Sequence, residues 1–541
     1  MSNKRIFSND DIIEIKRLTS QDGLSSRKIA EIYGVGKSTI GDLLRKETYT
    51  EFWEKEEDKP TAGGYIKRPE ESRRKLKGKR FVFTSAQNNT YVHDGFLKAL
   101  EVYCKHNNSE LMVGTYIYNK KGFQSGATED TWFDPKIRDY IVDESCQIAE
   151  GLVWSGELNI LPTAKNPMSG MQNYVNQESC IIPHAKLQML SLPAPLHTGA
   201  RFMYTTGTVT QRQYRPQKAG QLAEHHHSFS ALVVEIDDDG DWFVRQLSGE
   251  KVTGNFYDIA NGVEYYTREG VTDGHCVAGI NWGDIHAAKV DEDVAETSWG
   301  KGGIIDILKP SVQFLHDFFD MKNRNHHNIN DPYFKFKMHV QGTESVLGEI
   351  IDSGNLMKTM LRPDVKTVVV QSNHDLALQQ YLRKEDYRGD PVNAEFFLEM
   401  QLKTYQNIRL NKDFCVLEYA MKKYVDGLDN VEFIDGSSPY KVAGISKESH
   451  GSEGNNGSRP STATFRAWGC KVTIGHQHAA NILDGVWVAG VSGKLDMGYN
   501  AVGGSSWSHS HVVTYLNGKR VMITLKQGKK WRGDKNELRN T

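Results

Sequence analysis

Five short motifs in the second half of the chain carry side chains that bind divalent ions. They are Asp284-Ile285-His286, His316-Asp317-Phe318-Phe319-Asp320, Ser372-Asn373-His374-Asp375, Ser449-His450-Gly451 and Gly475-His476-Gln477-His478. Pooled, they offer carboxylates, one amide and several imidazoles. That mixed oxygen and nitrogen set suits a pair of divalent transition metals better than magnesium or calcium. Two such ions ~3.5–4 Å apart can lower the pKa of a bridging water and clamp the attacking and leaving oxygens of an in-line displacement at phosphorus. Phosphate-ester hydrolysis is one chemistry expected of such a pair, and the ligands alone do not choose between diesters and monoesters.

Such groups must be positioned by something rigid. Four of the five motifs lie at or just past the end of an apolar, strand-like run, at 276–281, 312–315, 365–370 and 471–474. Side chains at the C-terminal edges of neighbouring strands converge on one crevice, where α/β proteins place their sites. Ser449-His450-Gly451 instead occupies a loop rich in glycine and serine. Outside the motifs, His326-His327 and His509-Ser510-His511 are further imidazoles, expected to support the site or to lie on the surface.

The first 50 residues have a different purpose. Asp10 and Asp11 open a helical stretch that ends near Arg17-Leu18, which suits the helix dipole. A second amphipathic stretch, Ser26 to Tyr33, is broken by Gly34, and helical spacing resumes at Lys37. Two short helices about a glycine turn, with small Ala30 at the crossing, make a helix-turn-helix resembling those of phage and transposase-type DNA binders. Lys37, Ser38, Thr39, Asp42 and Arg45 are then expected to face the major groove. Residues 51–79 read as a basic linker; from Pro60 to Arg80 there are eight Lys or Arg against two Glu. Folded structure begins at Arg80 with a β-α-β pattern. Residues 231–236 and 242–245 form a hairpin about 237–241, and His225-His226-His227 is expected as a strand-adjacent structural or surface group.

Composition sets the limits. With 541 residues, three or four domains are expected. Lys plus Arg number 66 against 68 Asp plus Glu, which excludes a wholly basic nucleic-acid coat but not a local basic patch such as 519–539. The six cysteines form no C-x-x-C pair, and no apolar signal core or membrane-length run is present. A cytoplasmic protein with no membrane partner is expected.

Taken in order, the five motifs resemble the calcineurin-like metallophosphoesterase superfamily, and in style its branch of nucleases that process double-strand breaks. The resemblance covers about 250 residues, and the spacings 33, 56, 77 and 26 from position 284 to 476 follow the family's order. It implies a C-terminal β-sandwich flanked by helices. It also implies roles: Asp284, His286 and His478 on a first metal, Asn373, His450 and His476 on a second, and Asp317 bridging. His374 would be the catalytic histidine and Asp375 would hold its imidazole. Where the family usually has Gly-Asp this chain has His316-Asp317-Phe318-Phe319-Asp320, so Asp320 is an alternative bridge; Ser372 replaces a usual glycine.

The whole arrangement is also similar to the large pre-early proteins of T5-like phages associated with host DNA degradation. That resemblance rests on the helix-turn-helix, on Asn159-Ile160-Leu161-Pro162-Thr163-Ala164 and Thr205-Thr206-Gly207-Thr208-Val209-Thr210, and on the five motifs. The expected fold is α/β: a helix-turn-helix (1–50), the linker (51–79), a middle α/β domain (80–270), the metallophosphoesterase domain (271–525) and a basic tail (526–541). The expected activity is that of a DNase using two divalent ions, by resemblance manganese, on host chromosomal DNA in the bacterial cytoplasm, as a homo-oligomer. A DNA-binding regulator with a degenerate phosphoesterase domain and a phosphatase or phosphodiesterase of small substrates remain alternative readings.

Overall fold

The structure is a computed structural model, and it describes residues 6–20, 24–45, 73–119, 131–325, 328–498, 500 and 502–533. The chain divides into two compact units, Met1–Arg73 and Arg74–Thr541.

In the first unit, helices Asn9–Ser20, Ser26–Tyr33 and Lys37–Leu44 enclose a small core of Phe7, Ile12, Ile15, Ile29, Ala30, Ile40 and Leu43. Gly34 turns the chain with a left-handed backbone (φ 64°), and its N–H reaches back to the end of the second helix. Two short helices about a glycine turn are thus present. Lys37 and Ser38 are exposed at the start of the third helix, Thr39 and Asp42 are half-buried, and Arg45 is exposed. Arg45 is tied to Asp42 by an ion pair of 2.6 Å, so those two residues face one another.

The second unit is a mixed α/β structure of several sheets. A six-stranded sheet runs Glu432–Ile434, Lys366–Val370, Val312–His316, Gly279–Asn281, Ser510–Thr514, Arg520–Thr524, the first four strands being parallel. Helices cover one face of this sheet, contributing Ile304, Ile350, Met357, Leu378, Phe397 and Met421 to the largest core. A four-stranded sheet pairs Arg80–Gln87 with Glu110–Tyr116 and with the expected hairpin, Ser230–Ile236 and Trp242–Ser248. Alternation along its first strand is complete: Phe81 and Phe83 point to a core shared with Val512 and Met522, while Val82 points to the helix Asp94–His106.

Three boundaries differ from expectation. Residues 51–72 lie outside the described residues, but Arg74–Lys75 already forms a strand parallel to Ser145–Ala149, so the linker ends before 79. The division at 270 is crossed by an eleven-stranded sheet, in which His184–Leu192 pairs with Asn481–Leu483. In the basic tail, Lys530 binds Asp237 at 2.8 Å and the Gly533 N–H donates to Glu235, so 526–533 is folded; 534–541 lies outside the described residues. Nor is the basic stretch before it free for phosphate: buried Arg520 donates to the carbonyls of Val472 and Gly485. His225 and His226 end the helix Lys218–His226 rather than preceding a strand directly. All six cysteines are unpaired, and no helix among the described residues is long and apolar enough to cross a membrane.

Candidate metal centre

Three adjacent parallel strands deliver three of the motifs to one edge of the six-stranded sheet. Asp284 and His286 follow Gly279–Asn281, Asp317 follows Val312–His316, and His374 follows Lys366–Val370. The fourth delivery comes from the eleven-stranded sheet, where His476 and His478 follow Val472–Ile474. The two sheets are stitched at this point: the Asp284 N–H donates to the Gly490 carbonyl, and the Ser492 N–H donates to that of Asp284.

The ligand atoms form overlapping groups. Asp284, His286, Asp317 and His478 make one, and Asp317, His450 and His476 make another, all ligand atoms within a group lying inside 4.8 Å of one another. Asp317 is common to both, the position a bridging carboxylate requires. Its oxygens lie 3.2 Å from His450 Nε2 and 3.8 Å from His286 Nε2. His478 Nε2 is 3.3 Å from Asp284 Oδ2 and 3.0 Å from His286 Nε2.

The chemistry of these atoms fits a cation. Asp284 Oδ1, His478 Nδ1 and His450 Nδ1 are buried and have no hydrogen-bond partner, and Asp317 Oδ1 and His450 Nε2, 3.2 Å apart, have only each other. A native interior leaves few such atoms unsatisfied without a reason. Burial opposes charge on Asp317, but the neighbouring imidazoles outweigh it and hold its carboxyl well below the usual range. Four of the residues, His286, Asp317, His476 and His478, have left-handed backbone (φ 51°, 45°, 72° and 56°). Non-glycine residues there cost about 1–3 kcal/mol each and persist where surroundings over-determine them. The glycine before the last pair is required for space, since a Cβ on Gly475 would fall 2.2 Å from Asp284 Oδ1.

Asp320 has a function that sequence reasoning did not reach. Its Oδ1 accepts from His286 Nδ1 at 2.6 Å and lies 3.3 Å from His374 Nδ1. By accepting from the Nδ1–H it fixes the His286 tautomer and turns Nε2 toward the ligand cluster. Asp375, expected to hold the His374 imidazole, does something else: it accepts from the Phe319 N–H and from the backbone and hydroxyl of Ser372. It therefore locks the 372–375 loop to the 317–320 turn, and the orienting partner of His374 is Asp320. The i, i+3 spacing of Asp317 and Asp320 was the available signal.

His374 stands at the mouth of the site with about a third of its side chain exposed (32%). Burial disfavours its protonation, but the hydrogen bond to Asp320 and the charge of Asp317 prevail and lift its pKa to about 9. Asn373 is exposed, in contrast to the other six expected ligands, which are buried or half-buried. His511 and His509 act on backbone: His511 Nδ1 accepts from the Gly283 N–H, and His509 Nε2 reaches the Gly493 carbonyl. His326-His327 lies outside the described residues. Trp507 packs edge-on against His478, ring centres 4.3 Å apart.

Fold and site together define the class: a mixed α/β protein whose buried His and Asp clusters could hold a metal ion. No protein-family model matches the chain, and no solved structure matches it. The chain is 42% identical over 489 residues to Protein A1 of Escherichia phage T5, an alignment covering 88% of this chain and 87% of that protein. It belongs to that phage protein family, as the resemblance to large T5-like phage proteins anticipated.

Proposed function

We propose that this protein is a metal-dependent DNase of the calcineurin-like metallophosphoesterase type, degrading host DNA during phage infection. The observation that carries this reading is the pair of buried ligand groups sharing Asp317, with their unpartnered oxygen and nitrogen atoms. Asp284, His286 and His478 would hold one ion, His450 and His476 with Asn373 the other, and Asp317 both. Divalent ions bound there would supply positive charge against the phosphate oxygens and acidify coordinated water. His374, 3.3 Å from Asp320, would give its proton to the departing oxygen. Asp375 and Ser372 keep that imidazole's loop in register with the Asp317 turn. The helix-turn-helix favours DNA over small esters, because local concentration on duplex serves a nuclease and not a small-molecule phosphatase.

The test is incubation of the purified protein with linear and circular plasmid, with manganese or with chelator, beside His374→Ala. Manganese-dependent loss of both DNA forms, abolished in the variant, is expected. Intact DNA under every condition, with retention of particular fragments, would sink the nuclease and favour a regulator. Turnover of an aryl phosphodiester with duplex left intact would favour a small-substrate phosphodiesterase.

A further inference from the structure

A cavity of about 570 Å³ opens directly beside the metal centre, lined among others by His286, His374, Lys289, Lys322, Phe334 and Met497. Phe334 belongs to the helix Pro332–Gln341, whose N-terminus is capped by Asp331 and whose end is turned by Gly342 at φ 65°. Met338 is the one fully buried residue of this helix. The opposite side is bare: Tyr333 is 86% exposed, Phe336 67% and Val340 69%. Spacings of three and four put Tyr333, Phe336, Lys337 and Val340 on one stripe. Lys335 and Lys337 are also exposed.

Two exposed aromatic rings and two lysines on a helix that borders the reacting centre are poorly explained as packing. Aromatic faces beside cations are the means by which proteins hold unpaired nucleic acid, bases on the rings and phosphates on the lysines. A paired duplex keeps its base faces stacked internally and offers them nothing. Lys322 and Lys289 bring positive charge into the cavity that Phe334 and His374 share; Lys289 Nζ donates to the Met497 carbonyl on the cavity wall.

We infer that the helix Pro332–Gln341 is a stacking platform for an unpaired DNA strand, with Tyr333 and Phe336 on successive bases and Lys335 and Lys337 on its phosphates. The cleaved strand reaches the centre single-stranded, so DNA with ends, gaps or frayed segments is cut faster than closed circles, which are lost more slowly through transiently melted stretches. This rests on the DNase reading of the site.

The test uses the full chain with chelator, so that nothing is cleaved, and fluorescein-labelled (dT)20 read by anisotropy. Tyr333→Ala with Phe336→Ala is expected to weaken binding at least tenfold while leaving manganese-dependent turnover of an aryl phosphodiester within twofold of wild type. Lys335→Ala with Lys337→Ala should lower the salt slope of binding by about 1.4 on a log–log plot. Unchanged (dT)20 affinity in the aromatic variant would overturn the platform. So would a change of its sedimentation coefficient, which would make the stripe an interface between copies. Should wild type bind (dT)20 through these rings yet hydrolyse neither DNA nor aryl diester, the platform stands and the nuclease reading falls.

Discussion

Nε2 of His286 and Nε2 of His478 face each other at 3.0 Å, and Asp320 has already claimed the Nδ1 proton of the first. Two lone pairs that close repel unless a proton or a cation lies between them. The Asp320 carboxylate, expected only as an alternative bridge, therefore decides the competence of the cluster by orienting His286. Removing such an orienting partner typically costs 10–100-fold in metal affinity. Asp320→Ala should lower manganese affinity by about that factor while the far-ultraviolet circular dichroism stays unchanged; isothermal titration of the purified variant reads it. Wild-type affinity in that variant would show that packing alone orients His286.

At the scale of elements, the site depends on turns that tolerate no extra atom. Gly475→Ala places its new carbon against Asp284 Oδ1, so either the 475–478 turn or the 284–286 turn must move. Overpacking of this kind costs about 1–3 kcal/mol, and the metal titration should weaken at least tenfold beside a modest fall in Tm. A second element effect concerns the helix Val346–Met360. Glu349 on that helix accepts from the N–H groups of Lys322 and Asn323, and burial raises its pKa to about 7. A carboxyl raised on folding contributes stability that is complete below its unfolded pKa of about 4.5 and is lost as pH climbs through 7, about 3 kcal/mol in all. Glu349→Gln keeps an acceptor and removes the charge. Its Tm relative to wild type should therefore rise between pH 5 and pH 7.5, and a flat difference would show that the carboxyl is not buried as described.

How much was legible follows from what local pattern can encode. Residue types at strand ends are written in short apolar runs, so the strands before Asp284, Asp317, His374 and His476 are found where expected. The two short helices on either side of Gly34 were equally readable, because that glycine and the apolar spacing around it are local. The exchange of roles between Asp320 and Asp375 was not, since it depends on which of two carboxylates a turn aims inward. Nor was the eleven-stranded sheet: the segments that complete it late, at 481–483 and 486–488, are three residues each. Strands that short carry no periodicity to distinguish them from loop.

Across the whole molecule, buried neutral histidines set an acid limit. Burial pushes His184 down to about 4, and His227 and His511 down to about 3. In His227 the Tyr214 hydroxyl donates to Nδ1 while Nε2 serves the Thr210 carbonyl, so an added proton has no acceptor. A base depressed on folding leaves stability complete above its unfolded pKa of about 6.5, lost as pH falls below it, at about 1.4 kcal/mol per unit for each group. Thermal denaturation in chelator should therefore show Tm dropping steeply between pH 6.5 and pH 4.5. A constant Tm over that range would mean that these rings take up protons without unfolding.

The sheet that crosses residue 270 has a consequence in time. Gln188 meets Asp484 across 296 positions, and the strand Val472–Ile474 that presents His476 and His478 lies between Ile445–Ser446 and the later Val486–Val488. At about 5–20 residues per second, a ribosome needs roughly half a minute to two minutes to reach that point. Until then the nascent chain carries Asp284, His286 and Asp317 with no opposing wall, and the strand His184–Leu192 waits with an open edge for a neighbour not yet made. The centre is closed by the late-made segments, so a chain interrupted before them carries half a cage.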